Sequence, residues 1–401
     1  MQGDLSGRVL GRYRVGERVA QSQVWEGYRA FQDDVKREVA IQVLAPQLAA
    51  VPEVVTGFER AVRAAVALQH VNIERVYTVY QQDGIVGKVG EWIEGVSLEA
   101  LLSELAAQRL LLPLQVVGTI VSQVASGLTY ANELEQNPLH RDVMPANIML
   151  RRGKQSPDDM DMLQFVSNLG PKDVVLTNYG VSRVAHDAVQ QLFPDRVPGL
   201  ADYLSPEVCR GERGVDTRAD VYALGAVLYE MLTGTVPFGG GVPSKVMQMQ
   251  MNEPLRLPRS LRPDLPEEVE QVVLKALEKD RNRRFSDAEA FGLAVKQRMG
   301  HVKAPFQFAP MPDVIPERGK APVGRGQAAA VPPPRPTPSA GQAPPPSVAA
   351  REQARGEARK QEPPSPGTRK SEGGGVMVLL LVLLVLLLAV VGAGAWWMFM
   401  R

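Results

Sequence analysis

With 401 residues, 45% of them hydrophobic and 22% charged, the chain has apolar surface for one large or two ordinary globular domains and is not wholly disordered. Its 45 Lys and Arg against 44 Asp and Glu leave a formal net charge of +1, so no global field favours nucleic acid or an acidic surface, and no nucleic-acid partner is expected. The single cysteine, Cys209, excludes an intrachain disulfide framework and a cysteine-built zinc site, fits a reducing compartment, and reads as a small buried hydrophobe.

Residues 1–5 carry no basic stretch leading into an apolar core, so no signal peptide is expected and the first domain is expected in the cytosol. Residues 13–36 read as a β-hairpin region, and residues 38–44 as a third strand, apolar at alternate positions. Phe58, Val62, Ala65, Val66 and Leu68 fall at helical spacing, which predicts a helix over 58–69. Strands are expected over 72–80 and 85–92, then two amphipathic helices over 97–112 and 113–134. The polar stretch 151–172 holds Asp158, Asp159 and Asp161; they lack the spacing of a calcium loop, and a solvated insertion is expected. A long apolar helix follows Asp220 and runs to Leu232. Residues 301–375 hold 16 of the chain's 32 prolines and few aromatics; such a stretch cannot bury a core and is expected to be a disordered, partly polyproline linker. Residues 376–400 carry no charge, and at about 1.5 Å per residue they exceed the ~30 Å hydrocarbon thickness of a bilayer. With Trp396 and Trp397 for one interface and Arg369 and Lys370 on the other side, they are expected to form a transmembrane helix.

Between these elements lie His140-Arg141-Asp142, four further residues, Asn147, and the apolar run Ile148-Met149-Leu150. This stretch resembles the catalytic loop of the protein kinases, and the order of motifs over residues 11–300 resembles the bacterial serine/threonine kinases. The resemblance implies an α+β, two-lobe fold with a small β-rich lobe and a helical lobe. It implies that Asp142 accepts the proton of a substrate hydroxyl, or persists only as a hydrogen-bonding element of the loop, and that Asn147 holds a metal ion. Glu207, its partner Arg284, and Asp220 match the family's anchors of the helical lobe.

The departures fall on nucleotide contacts. Ala20, Ser22 and Trp25 stand where the family has the three glycines of its phosphate loop, and Gly27 stands where a valine covers the adenine. On the third strand Ala40 keeps its place at the nucleotide site, but Gln42 replaces the lysine that pairs the phosphates, forfeiting most of a charge interaction of about 4 kcal/mol. The helix glutamate that orients that lysine falls on Ala61, and Glu59 is on another face, so the pair is lost at both ends without leaving a lone buried charge. Glu91 and Ile93 belong to the hinge that contacts adenine. Gly90 takes the gatekeeper position and is expected to enlarge the back of the pocket. Met144 replaces the catalytic-loop lysine, Asn178 replaces the aspartate that bridges magnesium, Tyr179 keeps a packing role, and Leu200 replaces a threonine. In residues 181–198 the one hydroxyl residue, Ser182, is not placed where phosphorylation would order the segment against Arg141.

The resulting expectation is a pseudokinase domain over 11–300, a linker over 301–375 and a membrane anchor over 376–400, with the domain docking a cytosolic protein partner as a binding or scaffold module. No cofactor is expected, with ATP the candidate and magnesium disfavoured. The alternative is a weak or unconventional ATP-dependent serine/threonine kinase that uses Asp142 as its base.

Overall fold

The computed structural model describes residues 4–134, 139–152, 162–192, 199, 201–299 and 307–311. The expected membrane span and nearly all of the proline-rich stretch lie outside the described residues, as do Leu200 and the acidic trio Asp158, Asp159 and Asp161. Among the described residues no helix is long and apolar enough to cross a membrane.

The small lobe begins with β1 (Val9–Leu10), β2 (Tyr13–Gln21), β3 (Trp25–Gln32) and β4 (Arg37–Leu44), then α1 (Pro46–Ala49) and α2 (Pro52–Val66), then β5 (Val76–Gln82) and β6 (Ile85–Glu91). The six strands form one antiparallel sheet in the order β1-β2-β3-β4-β6-β5. Side chains alternate between its faces. Tyr28, Val39, Ile41, Val43 and Val89 point to an outer core covered by Leu5, Leu10 and Tyr80. Trp25, Leu44 and Val86 point the other way, toward α2, whose Val54, Phe58, Val62 and Ala65 repeat at helical spacing. This helix starts six residues before the expected 58, because Pro52 sits in its first turn, where a missing N–H leaves nothing unbonded.

The helical lobe follows through β7 (Gly95–Ser97), α3 (Leu98–Ala107), β8 (Leu110–Leu111), α4 (Leu114–Asn132), β9 (Ile148–Arg151), α5 (Met162–Ser167), β10 (Val174–Leu176), α6 (Val181–Leu192), α7 (Pro206–Cys209), α8 (Arg218–Thr233), α9 (Pro243–Asn252), α10 (Pro258–Leu261), α11 (Glu267–Ala276) and α12 (Ala288–Met299), ending in β11 (Ala309–Pro310). Helix α8 is buried from Ala219 to Thr233 and forms the spine on which α4, α11 and α12 pack. Its C-terminus closes on Gly234, whose φ of +76° is the left-handed conformation a glycine adopts without strain. Arg284 grips Glu207 with two hydrogen bonds of 2.6 and 2.7 Å, both side chains buried, so the expected anchor is in place. Burial pushes the Glu207 carboxyl up, but the bonds and charge of Arg284 outweigh it and hold the carboxyl below its ordinary value.

Three segments differ from the sequence expectations. Residues 162–167 of the stretch read as a solvated insertion form α5, because Phe165 and Val166 bury themselves in the large core. Residues 307–311, expected to be linker, pack on the domain: β11 pairs with β8, and Met311 is buried. Residues 181–192, where no element was expected, form α6.

Candidate functional site

The cleft face of the small-lobe sheet carries one transverse row. In register, Ala20 faces Gly27, Gly27 faces Gln42, and Gln42 faces Lys88. Paired residues lie on the same face, so the positions assigned to phosphate and base contacts stand side by side. Trp25, two residues before Gly27, points to that face as well. A Cβ placed at Gly27 would lie 3.4 Å from Trp25 Cζ3 and 3.4 Å from the Ala20 Cβ. The indole has therefore moved into the space beside Gly27 that the family's valine side chain would take, and it packs inward on the cluster of Leu44 and Phe58. Ser22 does not face a ligand; its Oγ accepts from the Val24 and Trp25 N–H groups and closes the β2–β3 turn. Ala40 is partly exposed opposite Gly90. Glu91 spends its carboxylate on the Arg75 N–H (2.9 Å) and on Arg151 Nη2 (2.9 Å), and Ile93 is buried behind it.

The loop after α4 is pinned from below. Asp220, buried at the start of α8, accepts from the His140 N–H at 2.8 Å and the Arg141 N–H at 2.7 Å, and Arg141 takes a φ of +63°. Burial pushes the Asp220 carboxyl up from its ordinary value, as it pushes the His140 imidazole down. His140 lies against the edge of Tyr179, ring centroids 4.9 Å apart, with Nε2 2.9 Å from the Thr177 carbonyl; both rings have packing roles. Asn147 Nδ2 donates to the Asp142 carbonyl and to Asp142 Oδ2, at 2.8 and 2.9 Å. Its Oδ1, the oxygen assigned to metal, accepts from Asn178 Nδ2 at 2.9 Å. Asn178 Oδ1 is buried without a hydrogen-bond partner among the described residues.

Helix α6 then lies over Asp142. Its apolar face, Val181, Ala185, Ala188 and Val189, joins the α2 cluster, and the close approach is allowed by Gly57, where a Cβ would stand 3.1 Å from Val184 Cγ1. Ala61, partly buried, packs against the same cluster. One turn apart on another face, Ser182 Oγ donates to Asp142 Oδ2 at 2.6 Å and His186 Nδ1 lies 3.2 Å from Asp142 Oδ1. Burial pushes the Asp142 carboxyl up, yet His186, Ser182 and His140 together hold it well below the usual carboxylate range.

The sequence reading missed Lys88 and Glu74. They form a buried ion pair. Glu74 Oε2 also accepts from the Asn178 N–H at 3.0 Å. Its Oε1 lies 2.6 Å from where a Cβ at Gly90 would be. The expected enlargement behind Gly90 is therefore corrected: the glycine makes room for a carboxylate of the chain itself. The available signal was a lysine inside the strand Ile85–Glu91, with valine or glycine on either side. Among the described residues no three His, Cys, Asp or Glu side chains cluster as a metal site would.

A family model described as the protein kinase domain matches residues 13–295. The chain belongs to the protein kinase family. It is 29% identical over 290 residues to the serine/threonine-protein kinase PrkC of Bacillus subtilis, covering 72% of this chain and 41% of that one. It is 31% identical to the serine/threonine-protein kinase PknB of Mycobacterium leprae, covering 69% and 41%, and 32% identical to the tyrosine-protein kinase MasK of Myxococcus xanthus, covering 66% and 39%. The chain spans about two fifths of the length of the curated relatives it matches. The crystal structure of the Mycobacterium tuberculosis PknI kinase domain superposes with a TM-score of 0.55 at 25% identity, over 73% of this chain and 98% of that one. These matches make the chain a bacterial protein kinase homologue with the two-lobe fold.

Proposed function

We propose that the chain is a catalytically inactive member of its family, anchored in a membrane through residues 376–400, whose kinase-fold domain binds a cytosolic protein partner as a scaffold. One observation carries the reading: both carboxylate oxygens of Asp142 are held by the chain's own Ser182 and His186, with α6 packed over them. A substrate hydroxyl would have to share or displace one of these contacts. The surroundings agree. Asn147 and Asn178 turn their amides on one another, so the corner assigned to magnesium offers neutral oxygens and no free carboxylate, a donor set that does not fit that ion well. Phosphoryl transfer rests on positioning and electrostatic stabilisation; even two independent losses of ~3 kcal/mol slow it about 10⁴-fold.

The test is label transfer from γ-labelled ATP by the full-length chain, with magnesium or manganese, beside Asp142→Asn. No transfer above that variant is expected. Transfer that Asp142→Asn abolishes would favour the second reading, a weak ATP-dependent kinase with Asp142 as base. That reading draws on the Ser182 hydroxyl, which stands on Asp142 as an acceptor hydroxyl would.

A further inference from the structure

A second cleft lies in the helical lobe, where the segment after α11 passes the end of α7. In Lys279-Asp280-Arg281-Asn282-Arg283-Arg284 four of the six residues are basic, and Arg284 is already spent on Glu207. Lys279, Arg281 and, from the end of α7, Arg210 line a cleft of about 340 Å³, a size common among small-molecule sites. The carboxylates on its wall are engaged: Glu207 with Arg284, Asp280 with the Asn282 N–H at 2.9 Å, and Glu212 with Arg210. Arg210 and Glu212 are 41% and 36% exposed, a surface pair of the kind worth about 1 kcal/mol or less, so an arriving anion displaces it at little cost.

Lys279 is partly exposed in this wall. Its Nζ donates to the Gln250 carbonyl at 2.7 Å and to the Met249 carbonyl at 3.4 Å, in the last turn of α9, and stands 3.8 Å over the Phe238 ring. The nitrogen is thus fixed in position. Burial pushes its ammonium down to about 8; Arg284 and Arg210 add to the push, and Cys209 and Glu253 oppose it. Desolvation beside cationic neighbours is how a lysine becomes a nucleophile at neutral pH. Capping α9 accounts for the two carbonyl contacts, but not for a cleft that holds two arginines as well. We propose that Lys279 condenses reversibly with a small aldehyde or ketone that carries an anionic group, the anion being held by Arg281 and Arg210. The amine adds to the carbonyl carbon, the carbonyl oxygen leaves as water, and the imine nitrogen keeps one proton. No oxidant or second reactant is needed. An acyl group on Lys279 would discharge the nitrogen over Phe238, whereas the protonated imine keeps both the charge for that ring and one N–H for Gln250. The site goes beyond the scaffold reading and does not depend on it.

The test is borohydride trapping on the full-length chain with pyridoxal phosphate, pyruvate, and pyridoxal, which lacks the anion; adducts are read lysine by lysine by peptide mass spectrometry. At pH 7 an anionic probe is expected to half-label Lys279 at a concentration at least about tenfold below that needed for the exposed Lys245 and Lys296. An amine titrating near 8 is free in about one molecule in ten, an ordinary lysine in about one in a few thousand. Pyridoxal is expected to label Lys279 at least about tenfold less readily, the loss of one charged hydrogen bond. Arg281→Gln should weaken labelling by the anionic probe and leave pyridoxal unaffected; Arg210→Gln serves the same purpose if Arg281→Gln alters the thermal transition. Lys279→Arg keeps a cation for Gln250 and Phe238 and should abolish the adduct with the fold intact. Labelling by pyridoxal phosphate alone assigns a phosphate, by pyruvate alone a carboxylate, and by both a general anion; each supports the site. The proposal falls if neither anionic probe labels Lys279 sooner than Lys245 and Lys296, if pyridoxal labels it as readily as they do, or if the folded arginine variants label as the natural chain does.

Discussion

At position 90 the missing side chain is a structural requirement. A Cβ there would meet Glu74 Oε1 at 2.6 Å and the Arg75 carbonyl at 3.2 Å, and the carboxylate cannot retreat without leaving the Lys88 ammonium and the Asn178 N–H. Breaking a buried ion pair by displacing one partner costs about 3–5 kcal/mol, because the other charge stays buried and unpaired. Gly90→Val is therefore expected to lose about 3 kcal/mol of stability in urea denaturation. If the loss comes from the pair, Gly90→Val combined with Glu74→Ala and Lys88→Met will recover most of it, since no charge is left to strand. A triple variant as unstable as the single one would place the fault in the strand backbone instead. The same logic explains why the loss of Gln42 and Ala61 as charged positions is tolerated: neither leaves an orphan, and the charge that survives nearby brought its partner with it.

Among the elements, α6 decides what the site can do. It is tied to the helical lobe through Asp142 and to the small lobe through α2, so it bridges both walls of the cleft. The Asp142 tie has a pH signature. Its carboxyl is held below the ordinary value of 3.8 in the folded chain, so its contribution is complete above about pH 4 and is lost as pH falls from there toward the depressed folded value. At pH 7, Asp142→Asn is expected to destabilise the chain by about 1–3 kcal/mol, the worth of hydrogen bonds to a charged acceptor. Urea titrations of both proteins from pH 7 to pH 3 should show this difference shrinking below pH 4. A gap that stays constant through pH 3 would mean that the carboxylate charge is not what holds α6.

For the molecule as a whole, legibility in the sequence followed range. That Asp142 meets Asn147, five residues on, and that Glu207 meets Arg284, each in its own short motif, was readable from local spacing. Gln42, Ala61 and Asn178 were readable as losses for the same reason. The buried ion pair was not: Lys88 and Glu74 are joined by sheet register and a loop, and neither residue sits in a motif. Helix α6 was written in the spacing of Val181, Ala185, Ala188 and Val189, yet its burial depends on Gly57 and Ala61 more than a hundred residues earlier. Residues 307–311 were misread by composition. Proline and alanine after residue 300 argue for linker, but a two-residue strand and one methionine suffice to dock it: β11 pairs with β8, and Met311 lies over Gly234, where a Cβ would come within 2.5 Å of Met311 Cε. Residues 307–311 thus lie beside β8 and the C-terminus of α8. Met311→Asp would bury a carboxylate among Leu105, Leu111 and Met231, with Glu230 beside it. It is expected to destabilise the full-length chain by about 2 kcal/mol or more, read as a fall of several degrees in Tm. Met311→Leu should leave Tm nearly unchanged, because it conserves volume and polarity. If Met311→Asp has no effect either, residues 307–311 rest on the surface without contributing to the fold.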